Sequence, residues 1–369
     1  MKLNIKKELL LKAVNINERN VGRNLTLPIL NNILIRANEN KVEIISTDLD
    51  IAIITELTAK TEESGSIVIP PKTLSGFLSN LPDSSIELKK NKETLFLKNG
   101  THKTSIKGEN DKDFPLLPKV YRDNYFTVKA KDIVSALDQV INSVSSSELK
   151  PELTGILFNI TKNEFKLAST DSFRLSERKV PFDNISAINN KKIIPAKTAN
   201  EIIRSYQNIE GELIFYIEDN QLTVENKDNN NFKIRIISKF IEGDYPDYSK
   251  IIPNNFTTKV IVSKKDLLQQ VKGASLFTSR VNDIRLSVNQ KKIDIHAENY
   301  DVGEFNSSVT VTTTGESKEL VFNHQYLIDG LNNIEGDEII IKINKADGPT
   351  MFESTDYKNY FYILMPIRH

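Results

Sequence analysis

Part of this chain is written three times, and that restricts its fold more than any other feature. Residues 33–48, from Ile33-Leu34 to Ser46-Thr47-Asp48, lie without a gap on residues 156–171, from Ile156-Leu157 to Ser169-Thr170-Asp171, at an offset of 123. Six of the sixteen positions are identical, Asn40 on Asn163 among them, which fixes the alignment. A fainter copy runs from Ile284 to Asn299, a further 128 residues on. It keeps Leu286, Val288, Ile293 and Ile295 where the second copy has Phe158, Ile160, Phe165 and Leu167. Self-similarity at a long, fixed offset means one supersecondary unit used repeatedly.

Each unit contains the same local signals. Ile69-Pro70-Pro71-Lys72-Thr73, Ile194-Pro195-Ala196-Lys197-Thr198 and Phe322-Asn323-His324-Gln325-Tyr326 each open a short helix, because proline or asparagine suits a helix start. Phe77-Leu78, Ile202-Ile203 and Leu331 supply the apolar stripe about two turns later. A second helix per unit begins at Lys7-Glu8-Leu9-Leu10, Lys131-Asp132-Ile133-Val134 and Lys265-Asp266-Leu267-Leu268. Between helices the residues alternate, as in Lys41-Val42-Glu43-Ile44, Lys166-Leu167-Ala168 and Glu338 to Ile343, which predicts antiparallel strands with one buried face. The first two units end in related turns, Asp113-Phe114-Pro115 and Asp244-Tyr245-Pro246, each followed by another proline, Pro118 and Pro253. Boundaries just beyond them divide the chain into 1–122, 123–253 and 254–369. The fold class is α+β, with two helices on antiparallel sheet in each of three similar domains.

Composition excludes several functions. Forty-nine Lys plus Arg balance forty-nine Asp plus Glu, so bulk positive charge cannot hold nucleic acid and any such face must be local. Without cysteine there is no disulfide framework, thiolate metal site or cysteine nucleophile. Neither G-x-G-x-x-G nor G-K-[ST] occurs, and His102, His296, His324 and His369 show no metal-ligand spacing, so no cofactor is expected. The apolar run Tyr360 to Met365 is too short to cross a bilayer, and the N-terminal segment lacks a signal-peptide core. A cytoplasmic protein with no membrane partner is expected.

One alternative is a metal-dependent nuclease or hydrolase using Asp48 and Asp50 on a repeated β scaffold. The first acid recurs as Asp171 and becomes Asn299. That pattern is expected of a side chain that hydrogen-bonds its own turn in every copy.

Thr26-Leu27-Pro28-Ile29-Leu30 with Asn32, Ser46-Thr47-Asp48-Leu49, Thr170-Asp171 with Arg174-Leu175, Tyr245-Pro246-Asp247-Tyr248 and Met365-Pro366-Ile367-Arg368 together resemble one family across the full chain. It is the bacterial DNA polymerase III beta subunit, the sliding clamp that tethers polymerase to template. The resemblance implies a head-to-tail homodimeric ring and a non-catalytic processivity role on duplex DNA. Implied partners are the replicative polymerase alpha subunit, the clamp-loader delta subunit, and other polymerases and repair proteins that dock through a short peptide motif.

Helix packing supports a dimer independently. With about 10 Å between axes, six helices close a circle roughly 19 Å across, and only about 9 Å is clear. Twelve helices leave about 28 Å, which passes a duplex of about 20 Å. The six helix spans carry ten basic residues, Lys6, Lys7, Lys12, Lys72, Lys131, Lys197, Arg204, Lys264, Lys265 and Lys272, against six acidic ones. A mildly positive lining follows, with sequence-blind phosphate contacts. The resemblance adds Arg23, with Asn24, as a phosphate contact.

By resemblance, Leu276 and Phe277 pack across a subunit seam against Thr104 and Ile106. It also implies a peptide pocket assembled from Leu153, Thr170, Ser172, Arg174 and Leu175, from Pro246, Lys250 and Ile251, and from Ile363, Met365, Pro366, Ile367 and Arg368. Leu175, Ile251, Ile363 and Met365 are expected to form its floor, and Arg174 and Arg368 its rim. Five positions depart from the family pattern. Ser172-Phe173 stands where Gly-His is common, Lys250 where arginine is common, His369 where an aliphatic end is common, and Thr104 where a large apolar residue is common.

Overall fold

The computed structural model describes residues 1–22, 25–183, 190–227 and 232–367. Six α-helices occur among them, two per copy: α1 (Lys7–Glu18), α2 (Pro71–Ser79), α3 (Ala130–Ile141), α4 (Ala196–Tyr206), α5 (Lys264–Ala274) and α6 (His324–Asn333). Their starts follow from the sequence. Asn323 accepts hydrogen bonds from the backbone N–H groups of Gln325 and Tyr326, Ser263 accepts one from Asp266, and prolines occupy the cap and first position of α2. Leu10, Ala13, Val14 and Asn17 form the buried stripe of α1, and Leu267, Val271 and Ala274 that of α5.

The strands before α1, α3 and α5 pair Lys6 with Ser85, Lys129 with Glu212, and Ser263 with Glu338. Lys7 is therefore equivalent to Ala130 and Lys264, and the sequence alignment of Lys7 with Lys131 and Lys265 is one residue out.

By compactness the chain forms two units, one mainly Met1–Lys131 with Arg204–Phe240, the other mainly Asp132–Pro181 with the chain beyond Ile241. These units follow sheets and cut across the second copy. In the first, an eight-stranded sheet joins the strands Phe232–Lys239 and Ile51–Thr58, with Ile236 opposite Ile53. A five-stranded sheet in the same unit ends on the strand His102–Lys107. In the second unit a twelve-stranded sheet joins Arg174–Val180 to Tyr360–Leu364, with Leu175 opposite Ile363. Among the described residues the paired strands are antiparallel, which fits the alternating burial along residues 41–44 and Glu338–Ile343.

The segment after each of the first two copies lies as a strap on a sheet face. Phe114, Leu117 and Val120 cover Leu34, Ile45 and Ile54 in the first unit. In the second, Tyr245 and Tyr248 cover Leu157 and Ala168, and Tyr248, Ile252 and Phe256 cover Leu175, Met351 and Ile363. Each covered aliphatic side chain contributes about 2 kcal/mol.

Candidate partner-binding cleft and nucleic-acid face

The three acid-turn positions do the same work. Asp48 Oδ1 accepts from the backbone of Asp50 and Ile51, Asp171 Oδ1 from that of Phe173 and Arg174, and Asn299 Oδ1 from that of Asp301. Asp48 is thus a turn-former, and the neighbouring Asp50 pairs with Lys239 at 3.1 Å. Tight turns force Leu49 and Ser172, equivalent residues, to positive φ of 79° and 77°. The third copy carries one extra residue here and places Gly303 at the corresponding strand start.

Ser172 borders a cleft of 520 Å³ in the second unit. Leu175 and Ile363, opposite one another on adjacent strands, are fully buried at its floor, and Thr170, Ile251 and Met365 complete the wall. Ile251 and Lys250 come from a single 3-10 turn, Tyr248–Ile251. Its cap residue Asp247 forms an ion pair with Lys250 at 3.2 Å. Such a cleft suits a linear peptide with hydrophobic anchors.

Arg174 lies in the wall and not on the rim. Its Nε donates to Asp171 Oδ2 at 2.9 Å, one terminal nitrogen donates to Asp329 Oδ2 at 2.6 Å, and the guanidinium lies 4.2 Å from the Tyr326 ring centre. Two carboxylates hold this cation in place, so it is fixed in orientation within the wall. Leu153 and Pro366 are buried away from the lining, and Pro246 and Ile367 also lie outside it. Arg368 and His369 fall outside the described residues.

Sequence reasoning missed Ile252, Pro253, Asn344, Lys345, Gly348 and Pro349 in the lining; Phe173, singled out in the sequence as a departure from the family pattern, is part of it and 61% exposed. A usable signal existed for the loop: the Asp347-Gly348-Pro349 turn closes the hairpin whose second strand pairs Met351 with Ile363.

Of the basic residues assigned to the DNA face, Lys6, Lys12, Lys72, Lys131, Lys197, Arg204, Lys265 and Lys272 are exposed. Lys12 lies 4.5 Å from the Phe232 ring centre. Lys7 and Lys264 differ. Lys7 is only 8% exposed and pairs with Asp83 at 2.5 Å, and Lys264 donates to the Ile334 carbonyl at 2.8 Å. Both occupy the first position of their helix and tie it to the loop after the second helix of the same copy, so neither is presented to phosphate. Arg23 and Asn24 lie outside the described residues.

At the expected seam, Leu276 is 72% exposed and Phe277 stacks on Phe305 of its own unit, ring centres 6.0 Å apart. Thr104 is half-buried, but Ile106 is buried opposite Leu95 in its own sheet and offers no free apolar surface.

Comparison with known proteins agrees along the whole chain. Models of the DNA polymerase III beta subunit match in order: the N-terminal domain over residues 1–118, the central domain over 127–247 and the C-terminal domain over 249–368. Beta sliding clamps of Staphylococcus epidermidis (strain RP62A) and Staphylococcus aureus (strain Mu50) are each 27% identical to it, over all of this chain and 99% of theirs. The solved sliding clamp of Bacillus subtilis superposes with a TM-score of 0.94 at 25% identity, covering 100% of this chain and 99% of that one. A sliding clamp from Bartonella birtlesii bound to griselimycin gives 0.92 at 25% identity, with both chains covered in full. Three domain models in sequence order and superposition from end to end place this chain in the DNA polymerase III beta subunit family, the sliding clamps.

Proposed function

We propose that this chain is a non-enzymatic processivity clamp whose three domains, 1–122, 123–253 and 254–369, close head to tail with a second copy around duplex DNA in the cytoplasm. The cleft then docks the replicative polymerase alpha subunit, the clamp-loader delta subunit and other polymerases and repair proteins, each through a short peptide.

A pattern of strand edges carries the reading. The last strand of the second copy, Phe232–Lys239, completes a sheet of the first, and the last strand of the third, Tyr360–Leu364, completes a sheet of the second. The last strand of the first copy, His102–Lys107, lies at the end of its sheet. The strand placed to receive it, Gly303–Gly315, is paired along its first half on one side only, to Lys292–Asn299, among the described residues. Head-to-tail pairing of two chains satisfies both edges at once. Within the chain, Ile51 lies opposite Ser238 and Arg174 opposite Leu364. Carrying that register over puts Ile106 of one copy opposite Gly303 of the other, Thr104 opposite Phe305, and Ser105 opposite Glu304.

The deciding experiment loads the protein on nicked circular DNA and then linearises it. Retention on the circle and loss within the sliding time after cutting is the expected result. Equal retention on both forms means chemical and not topological binding, and defeats the reading.

The exposed lining gives a second expectation. Changing Lys131, Lys197 and Lys265 together to Glu should weaken loading and lower the log–log salt slope by up to about three, while the melting temperature holds. Unchanged salt dependence would place these helices away from DNA.

A further inference from the structure

The strap beside the cleft contains one polar contact that its counterpart in the first unit lacks. Tyr248 Oη donates to Glu177 Oε2 at 2.6 Å, and Glu177 is almost fully buried in the middle of the strand Arg174–Val180. Its ladder neighbours, Ala168 and Phe361, have no polar side-chain group to share with the carboxylate. Aligning Asp113-Phe114-Pro115 with Asp244-Tyr245-Pro246 makes Leu117 the counterpart of Tyr248. Counting along the ladder from Ile51 and Arg174 makes Ile54 the counterpart of Glu177. In the first unit that pair is purely apolar, and Leu117 packs against the cluster that contains Ile54.

The two units thus solve the same packing problem in two ways. An apolar pair holds a strap down without any desolvation cost, whereas a buried carboxylate with a single hydroxyl donor is at best neutral for stability. Stability alone would favour the apolar solution. Non-directional packing, however, lets a strap slide, and one short hydrogen bond fixes its register. The 3-10 turn Tyr248–Ile251 begins at this residue, and its backbone bonds are long, 3.4 Å from Lys250 to Asp247 and 3.3 Å from Ile252 to Ser249. That turn delivers Lys250 and Ile251, then Ile252 and Pro253, to the cleft wall.

We infer that the Tyr248–Glu177 hydrogen bond positions the Tyr248–Pro253 segment for peptide docking, so that both are positioning residues of the cleft. The inference rests on the peptide-docking reading. Burial, and then the bond to Glu177, push the Tyr248 hydroxyl well above its ordinary value, so it stays a donor across the cellular pH range.

The test titrates a labelled short peptide with one leucine and one phenylalanine anchor against full-length protein, with melting temperature and dimer constant measured in parallel. Binding by the native ring establishes the docking reading first, and its absence would sink that reading by itself. Given binding, the double change Glu177→Ile with Tyr248→Leu, which recreates the pair of the first unit, should lower affinity about tenfold while the melting temperature and dimer constant hold, and Tyr248→Phe, which leaves the buried carboxylate without its donor, should lower affinity at least as much with a lower melting temperature and an unchanged dimer constant. Glu177→Gln keeps an acceptor for the hydroxyl and should bind within about twofold of native. Native affinity in Tyr248→Phe, or equal weakening by Glu177→Gln and the double change, would overturn the positioning role.

Discussion

A chain ending at Leu364 should lose its peptide partners and keep its ring. Met365 supplies part of the cleft wall, and its backbone N–H donates to the Phe173 carbonyl at 2.9 Å, so truncation removes one wall residue and loosens a second. Further on, Pro366 is buried and the Ile367 N–H donates to the Val321 carbonyl at 2.7 Å, which ties the tail to its own domain. Losing a buried anchor contact costs about 2 kcal/mol or more, roughly thirtyfold in affinity, and the loosened Phe173 adds to it. Peptide titration reads that loss directly, and sedimentation together with retention on nicked circles should remain native. The edges proposed to join two chains, His102–Lys107 and the first half of Gly303–Gly315, do not involve the tail. Undiminished peptide affinity in the truncated ring would show that partners dock elsewhere.

The second large effect is at the seam. Leu276→Asp should convert dimers at micromolar concentration into folded monomers. Leu276 is a cleaner probe than Phe277, which stacks on Phe305 within its own fold and would disturb α5 if charged. Burying a leucine at an interface contributes about 2 kcal/mol, and a buried unpaired carboxylate adds a penalty of similar size or greater, so the dimer constant should weaken by at least a thousandfold. Sedimentation at graded concentrations checks this. A positive control uses the absence of cysteine from the chain. Changing Ser105 and Glu304 to Cys places two thiols opposite each other across the proposed ladder, about 5.5 Å apart at Cα and within disulfide reach. Oxidation should then yield a covalent dimer with no competing linkage. A failure to cross-link in a protein that remains dimeric would overturn the register.

Much of this was legible in the chain because it was local. The Asp48, Asp171 and Asn299 turns, the proline and asparagine helix starts and the alternating strands each depend on residues a few positions apart. What escaped depended on distance or on a small angular error. Lys7 was aligned one residue out, and on an α-helix one residue is about 100° of rotation, enough to move an ammonium group from solvent to Asp83. Arg174 was expected on the rim because nothing near it in sequence shows that Asp329, 155 residues later, takes its guanidinium. Lys345, Gly348 and Pro349 reach the cleft only because two late strands pair beside Ile363. The side chain of Ile106, on the strand edge expected with Thr104 to meet Leu276 and Phe277, is buried in its own sheet, where it lies opposite Leu95.

Both internal junctions are ladders of main-chain amides, Ile51–Thr58 on Phe232–Lys239 and Arg174–Val180 on Tyr360–Leu364. Any residue except proline can supply such a joint, because the bonding groups belong to the backbone. Evolutionary drift is then free to rewrite the side chains on either side without unmaking the connection, as long as the alternation of buried and exposed positions survives. A chain sharing a quarter of its residues with the Bacillus subtilis clamp can therefore superpose on it along its whole length. Lineage-specific change can accumulate where side chains do the recognising, as at Phe173 and Lys250, while the architecture that carries them stays put.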